Sequence, residues 1–90
     1  MATYKDLIDI VIMRELGILG KERMQGVLET LKIPVDGAGH CLKNDCGIGD
    51  LDRLMQELAA RYGAVAVMGC KIAVGRVARE ANLELPKILN

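Results

Sequence analysis

Ala64-Val65-Ala66-Val67-Met68, lying between Gly63 and Gly69, decides the fold of this chain. Read as a strand, it is a short buried run after a glycine, with Ile33-Pro34-Val35 as its neighbour. Read as a helix, it continues into the residues beyond it, and Ala66, Gly69, Cys70 and Ala73 form a small-residue face. The helical reading is preferred, because a sheet of two or three very short strands leaves edges that no other segment obviously covers. The expected fold is therefore all-α, a compact bundle of four to five short helices in one domain spanning 1–90. The alternative is a small α/β domain with two or three short parallel strands near 8–13, 33–35 and 64–68, which sets Cys41 and Cys70 just beyond strand ends.

Upstream of that stretch, Leu51, Leu54, Met55, Leu58 and Tyr62 recur at helical spacing, with Asp50 as the expected cap and Gly63 as the stop. Met24, Val27, Leu28 and Leu31 fall at i, i+3, i+4 and i+7 and predict a second helix that ends before Pro34. The first helix opens at Thr3, whose cap is completed by Asp6, and is expected to stop at Gly17 with Ile18 as its apolar follower. Its apolar residues Leu7, Ile8, Ile10, Val11, Ile12 and Leu16 cover most of the circumference, as in a central buried helix or a buried strand. Downstream, Val74, Val77, Ala78 and Ala81 mark a further helix that Asn82 terminates. Leu85, Ile88 and Leu89 form a last turn or two, with Pro86 near its start.

Composition limits what such a bundle can be. The 90 residues are 51% apolar, yet Trp and Phe are absent and Tyr4 and Tyr62 are the only aromatics. A chain of this size buries roughly 60 to 65% of its unfolded surface, and small aliphatic side chains leave little stability to spare. Self-association is a common remedy, so a homodimer or a subunit of a larger assembly is expected. Twelve basic and twelve acidic residues cancel, leaving no global footprint for nucleic acid or an anionic membrane. Locally, Ala64 to Arg79 holds Lys71, Arg76 and Arg79 and no acid. No secretory signal or membrane-spanning run is visible, and three irregularly spaced cysteines argue against a disulfide framework. The expected compartment is the cytoplasm.

Gly39 to Asp50, GHCLKNDCGIGD, gathers the only histidine and two of the three cysteines. It belongs to a connection of sixteen residues, Pro34 to Gly49, a length uncommon in a compact domain unless the segment is functional or disordered. His40, Cys41, Cys46 and Cys70 match the ligand count of a Cys₃His zinc site, with an iron–sulfur cluster as a second option, although adjacent His40 and Cys41 tend to point apart. No cofactor is expected on balance, because free cysteine most often simply packs. A metal-free thiol role, in redox chemistry or sulfur transfer, is the alternative. Cys46 precedes a helix start, Lys43 and Lys71 favour the thiolate, and Asp45 opposes it. The glycine pairs Gly37/Gly39 and Gly47/Gly49 do not form a phosphate loop, since Asp50 and Asp52 stand where the phosphate would.

Catalysis has few other candidates. The chain has no serine and one histidine, while Asp6, Asp9, Glu22, Glu29 and Glu57 are expected as surface charges facing Lys5, Arg23 or Arg61. The leading functional expectation is thus a non-catalytic binding or assembly module. Its partner is another protein or its own copy, engaged through the apolar residues 7–19 and the methionines Met13, Met24, Met55 and Met68.

Two resemblances bear on the alternatives. Lys71-Ile72, Val74-Gly75-Arg76, Ala78, Ala81 and the closing Leu85, Ile88 and Leu89 resemble a segment of small prokaryotic antitoxin-type proteins. Helix, Asn82 turn and short second helix also resemble a helix-turn-helix, in which Lys71, Arg76, Arg79 and Lys87 would touch DNA phosphates. The ribbon-type amino-terminal half of that family has no counterpart in residues 1–40, and an αα-hairpin used for packing or dimerisation is the favoured expectation. Under the α/β alternative, the unit of helix, Gly63, short strand and Cys70 resembles the sulfur-relay proteins of the DsrE type, which implies a persulfide-carrying cysteine.

Overall fold

The computed structural model describes residues 2–90. Four α-helices succeed one another: α1 Tyr4–Leu19, α2 Lys21–Leu31, α3 Ile48–Tyr62 and α4 Ala64–Glu80, with a closing 3₁₀ turn at Lys87–Leu89. The fold is all-α, a small helical bundle, and none of the three alternative strands is present among the described residues. Residues 8–13 lie inside α1 and 64–68 open α4, while Val35 contributes only an isolated antiparallel bridge to Cys41.

The choice between sheet and helix at 64–68 is made by the residues C-terminal to it. Ala66, Val67, Cys70, Val74 and Ala78 are buried along one side of α4, so the helical repeat runs unbroken for three turns beyond the five ambiguous residues. Alternation over five residues cannot compete with that longer period. Gly63, at φ 83° and ψ −177°, donates its N–H to Ala59 O at 2.8 Å to close α3 and turns the chain directly into α4. That conformation is open to glycine and few other residues.

α1 is the central helix and packs against α2, α3 and α4. Its start is as expected: the Asp6 carboxylate accepts from Thr3 N–H at 2.8 Å and from the Thr3 hydroxyl at 3.3 Å. Its end is not. The helix runs through Gly17 to Leu19 and stops at Gly20, whose φ of 91° lets the chain reverse into α2. Gly17 keeps helical geometry, because one interior glycine costs only about 1 kcal/mol, and Gly20 supplies the positive φ that the turn requires. Asp50 also acts differently from its expected role. α3 starts at Ile48, and the Asp50 carboxylate reaches back from the third helical position to accept from Gly47 N–H at 2.9 Å.

Met24 and Leu28 of α2 and Leu54 and Leu58 of α3 share one core, with Leu31 and Tyr62 packed at its edge. The two stripes are expected to face one interior with the sulfur-bearing connection between α2 and α3 held outside it, but the connection enters that core, since Ile33 and Cys41 are both buried members. It is held by local bonds: Asp36 N–H to His40 O at 2.9 Å, Leu42 N–H to Pro34 O at 2.8 Å, and two backbone N–H groups, of Ala38 and His40, on the Asp36 carboxylate at 2.9 Å each. Two contacts fix it to α1. Cys41 N–H donates to Asp9 Oδ1 at 2.7 Å, and Gly39 presses so closely on Leu16 that a Cβ there would lie 2.8 Å from Leu16 Cδ1.

The chain end docks across the bundle. Asn82 adopts the left-handed conformation at φ 57° and terminates the turn after α4. Leu89 is buried, and Tyr4 Oη donates to Glu84 O at 2.7 Å, tying the tail to the first turn of α1. No helix is long and apolar enough to cross a membrane among the described residues.

Candidate functional site

The structure divides the four sulfur and imidazole candidates among three places. Cys41 and Cys46 come together, with 3.7 Å between their sulfurs, and both thiols approach the same acceptor, the carbonyl oxygen of Lys43, at 3.8 and 3.2 Å. Cys41 is buried, whereas Cys46 is half-buried at the mouth of the loop. His40 points away from them; its Nδ1 stands 3.6 Å from Asp36 Oδ2 on the exposed side of the connection. Cys70 sits on α4 against Glu15 of α1. Among the described residues, no three His, Cys, Asp or Glu side chains gather into a set able to hold a metal ion, so Cys41 and Cys46 present a pair of sulfurs and not a four-ligand shell.

The surroundings of the pair set its chemistry. Burial, the hydrogen bond with Cys41 and the nearby Asp50 charge push the Cys46 thiol up to about 11, with the Lys43 ammonium as the opposing influence. Lys43 is itself committed to Asp50, its Nζ lying 2.9 Å from Oδ1, and Arg53 shares that oxygen at 2.8 Å. The start of α3 and the dithiol loop are therefore wired through one carboxylate.

Cys70 is more deeply placed. Its S–H donates to Glu15 Oε1 at 3.1 Å and approaches Ala66 O at 3.5 Å, and burial followed by the Glu15 contact pushes the thiol up to about 12. A thiolate, the reactive form, is strongly disfavoured there. Glu15 is fully buried, and its second oxygen has no hydrogen-bond partner in the chain. Sequence reading passes over this residue, although Glu15 falls three and four positions after Ile12 and Val11 on the face that α1 buries.

The basic residues Lys71, Arg76 and Arg79 are exposed on α4. Lys87 begins a three-residue 3₁₀ turn, reached through the non-helical segment Leu83–Pro86. No second α-helix comes after Asn82, and the recognition helix of a helix-turn-helix is missing among the described residues. The bases instead border an apolar stripe. Val65, Met68 and Ile72 are 83%, 65% and 78% exposed, and their spacing of i, i+3 and i+7 lays them along one side of α4. Arg14 flanks the stripe by crossing Gly69, where a Cβ would meet its Cζ at 2.7 Å. The residues 7–19 expected to offer an apolar face are mostly core: Leu7, Ile8, Val11 and Ile12 are fully buried, leaving Met13 and Ile18 outside. Of the methionines, Met24 and Met55 are core and Met13 and Met68 are exposed.

A groove of about 780 Å³ opens between α1, α2 and the connection, with Ile12, Leu16, Leu28, Ile33 and Val35 forming its bed. Lys21, Lys32, Glu29 and Asp36 line it with opposing charges, so its rim favours neither sign of ligand. No protein-family model, curated protein or solved structure matches this chain.

Proposed function

We propose that this protein is a non-catalytic assembly module that pairs with a second copy of itself through the outward side of α4. The observation that carries this reading is the stripe Val65, Met68 and Ile72, whose exposures are the three highest among the large apolar side chains described. A short stripe on one helix suits a two-fold interface, in which the same patch serves both subunits. The aliphatic core, without Trp or Phe, supplies the motive, since a small domain gains stability by burying more apolar surface in an oligomer.

Such a dimer is weak. Each of these side chains yields roughly 1.5–3 kcal/mol when fully buried, against an association cost of about 4–15 kcal/mol. The two terms are of similar size, so pairing that depends on concentration is the expected result. Isotope-filtered NMR on a mixture of labelled and unlabelled chains tests it. Intermolecular contacts among the methyl groups of Val65, Met68 and Ile72 support the reading, and intermolecular contacts confined to another face, or none at millimolar concentration, contradict it.

A further inference from the structure

We propose that Cys41 and Cys46 form a reversible disulfide within the α2–α3 connection, made by exchange with a low-molecular-weight disulfide. The pairing is set by position. The two sulfurs are in contact at 3.7 Å, and both thiols converge on the Lys43 carbonyl, so the two side chains already face each other across the short approach that a bond of about 2.05 Å requires. The third cysteine is held elsewhere, hydrogen-bonded to Glu15 in the interior.

Accessibility orders the steps. Cys46 is half-buried and Cys41 is buried, so Cys46 meets the external reagent and Cys41 resolves the product. The Cys46 thiolate attacks one sulfur of the small disulfide RSSR, forming a mixed disulfide and releasing RS⁻. The Cys41 thiolate then attacks Cys46 Sγ, breaking the mixed disulfide and releasing the second RS⁻. The two protons lost by the protein thiols end on the two RS⁻ groups. The balance is two protein thiols oxidised by two electrons and one RSSR reduced to two RSH. Attack by Cys46 depends on its thiolate, and burial pushes that thiol up to about 11. The exchange is slow at neutral pH and quickens about tenfold per pH unit below that value. Oxidation removes both S–H donors from the carbonyl of Lys43, a residue whose ammonium pairs with Asp50 in the first turn of α3.

Oxidised glutathione is the probe, added to the folded 90-residue chain in mildly alkaline buffer and tracked by intact mass and peptide mapping. Wild type is expected to lose two hydrogens, retain no adduct and show a Cys41–Cys46 link that dithiothreitol reverses. Cys41→Ser is expected to stall with one glutathione on Cys46, and Cys46→Ser to stay unmodified. Circular dichroism checks that each variant is folded, and Cys41→Ala gives the same readout should the serine variant not fold. An adduct that persists on wild type, a link through Cys70, or a wild-type chain that stays fully reduced overturns the proposal.

Discussion

Cys70 of α4 donates its S–H to Glu15 Oε1 of α1 at 3.1 Å, and both residues have no exposed surface. This contact couples the central helix to the one whose identity decides the fold. Cys70→Ala takes away a buried group and leaves the Glu15 oxygen without its donor, so a loss of about 2–3 kcal/mol is expected. Chemical denaturation of wild type and variant measures it. With its thiol pushed up to about 12 by burial, Cys70 is also expected to escape alkylation until the chain unfolds.

Two glycines of one helix end predict opposite effects. Gly17 lies within α1 and a Cβ added there meets nothing within 4 Å, so Gly17→Ala is expected to raise stability by about 1 kcal/mol. Gly20 has equal space but φ 91° and ψ 163°, a region nearly confined to glycine, so Gly20→Ala is expected to cost about 1–3 kcal/mol. Thermal melts of the two variants, shifted in opposite directions, check both the boundary of α1 and its cause.

Asp50 ties acid stability to the start of α3. The Gly47 N–H, with Lys43 and Arg53 beside it, lowers its carboxyl to about 2. The unfolded chain holds this proton more tightly than the folded one, so the contribution is complete above about pH 5 and is lost as pH falls toward 2. Its size at neutral pH is about 2 kcal/mol. Asp50→Asn is expected to lower stability at pH 7 and to converge with wild type near pH 2, measured by urea denaturation across that range.

Helix content is largely legible in the residues, because the stripes at Met24/Leu28 and Leu54/Leu58 carry a period that only a helix satisfies. Boundaries are less so. Gly17 and Gly20 are identical as residues, and the choice between them depends on where α2 must begin to bring Met24 into the core. The region 64–68 is ambiguous in isolation because Ala and Val fit either period, and the burial of Val74 and Ala78 resolves it. A glycine-rich connection is expected outside the core, whereas the Asp9 carboxylate, 32 positions earlier in the chain, draws the Cys41 backbone inward. Spacing alone brings Cys41 and Cys46 to attention, but it gives no means of separating them from His40 and Cys70. That separation comes from helix packing, which commits Cys70 to Glu15. The outward stripe of α4 is hidden for the same reason as its fold: in a strand, Val65 would be core.

The bases beside that stripe predict a distinctive salt dependence for the proposed self-pairing. Lys71, Arg76 and Arg79 lie on the same helix of each copy, with no acid between Ala64 and Arg79, so a two-fold pairing brings like charges near each other. Screening relieves that repulsion. Self-association is expected to strengthen several-fold between low salt and about 0.5 M salt, as read by light scattering, opposite to an interface held by ion pairs.

Sedimentation equilibrium of wild type and Met68→Glu over a wide concentration range tests self-pairing through α4 most directly. Wild type should move from monomer to dimer, and the folded variant, with a charge at the centre of the stripe, should remain monomeric throughout. A wild-type chain that is monomeric at the highest concentration, or a variant that dimerises equally well, would contradict it.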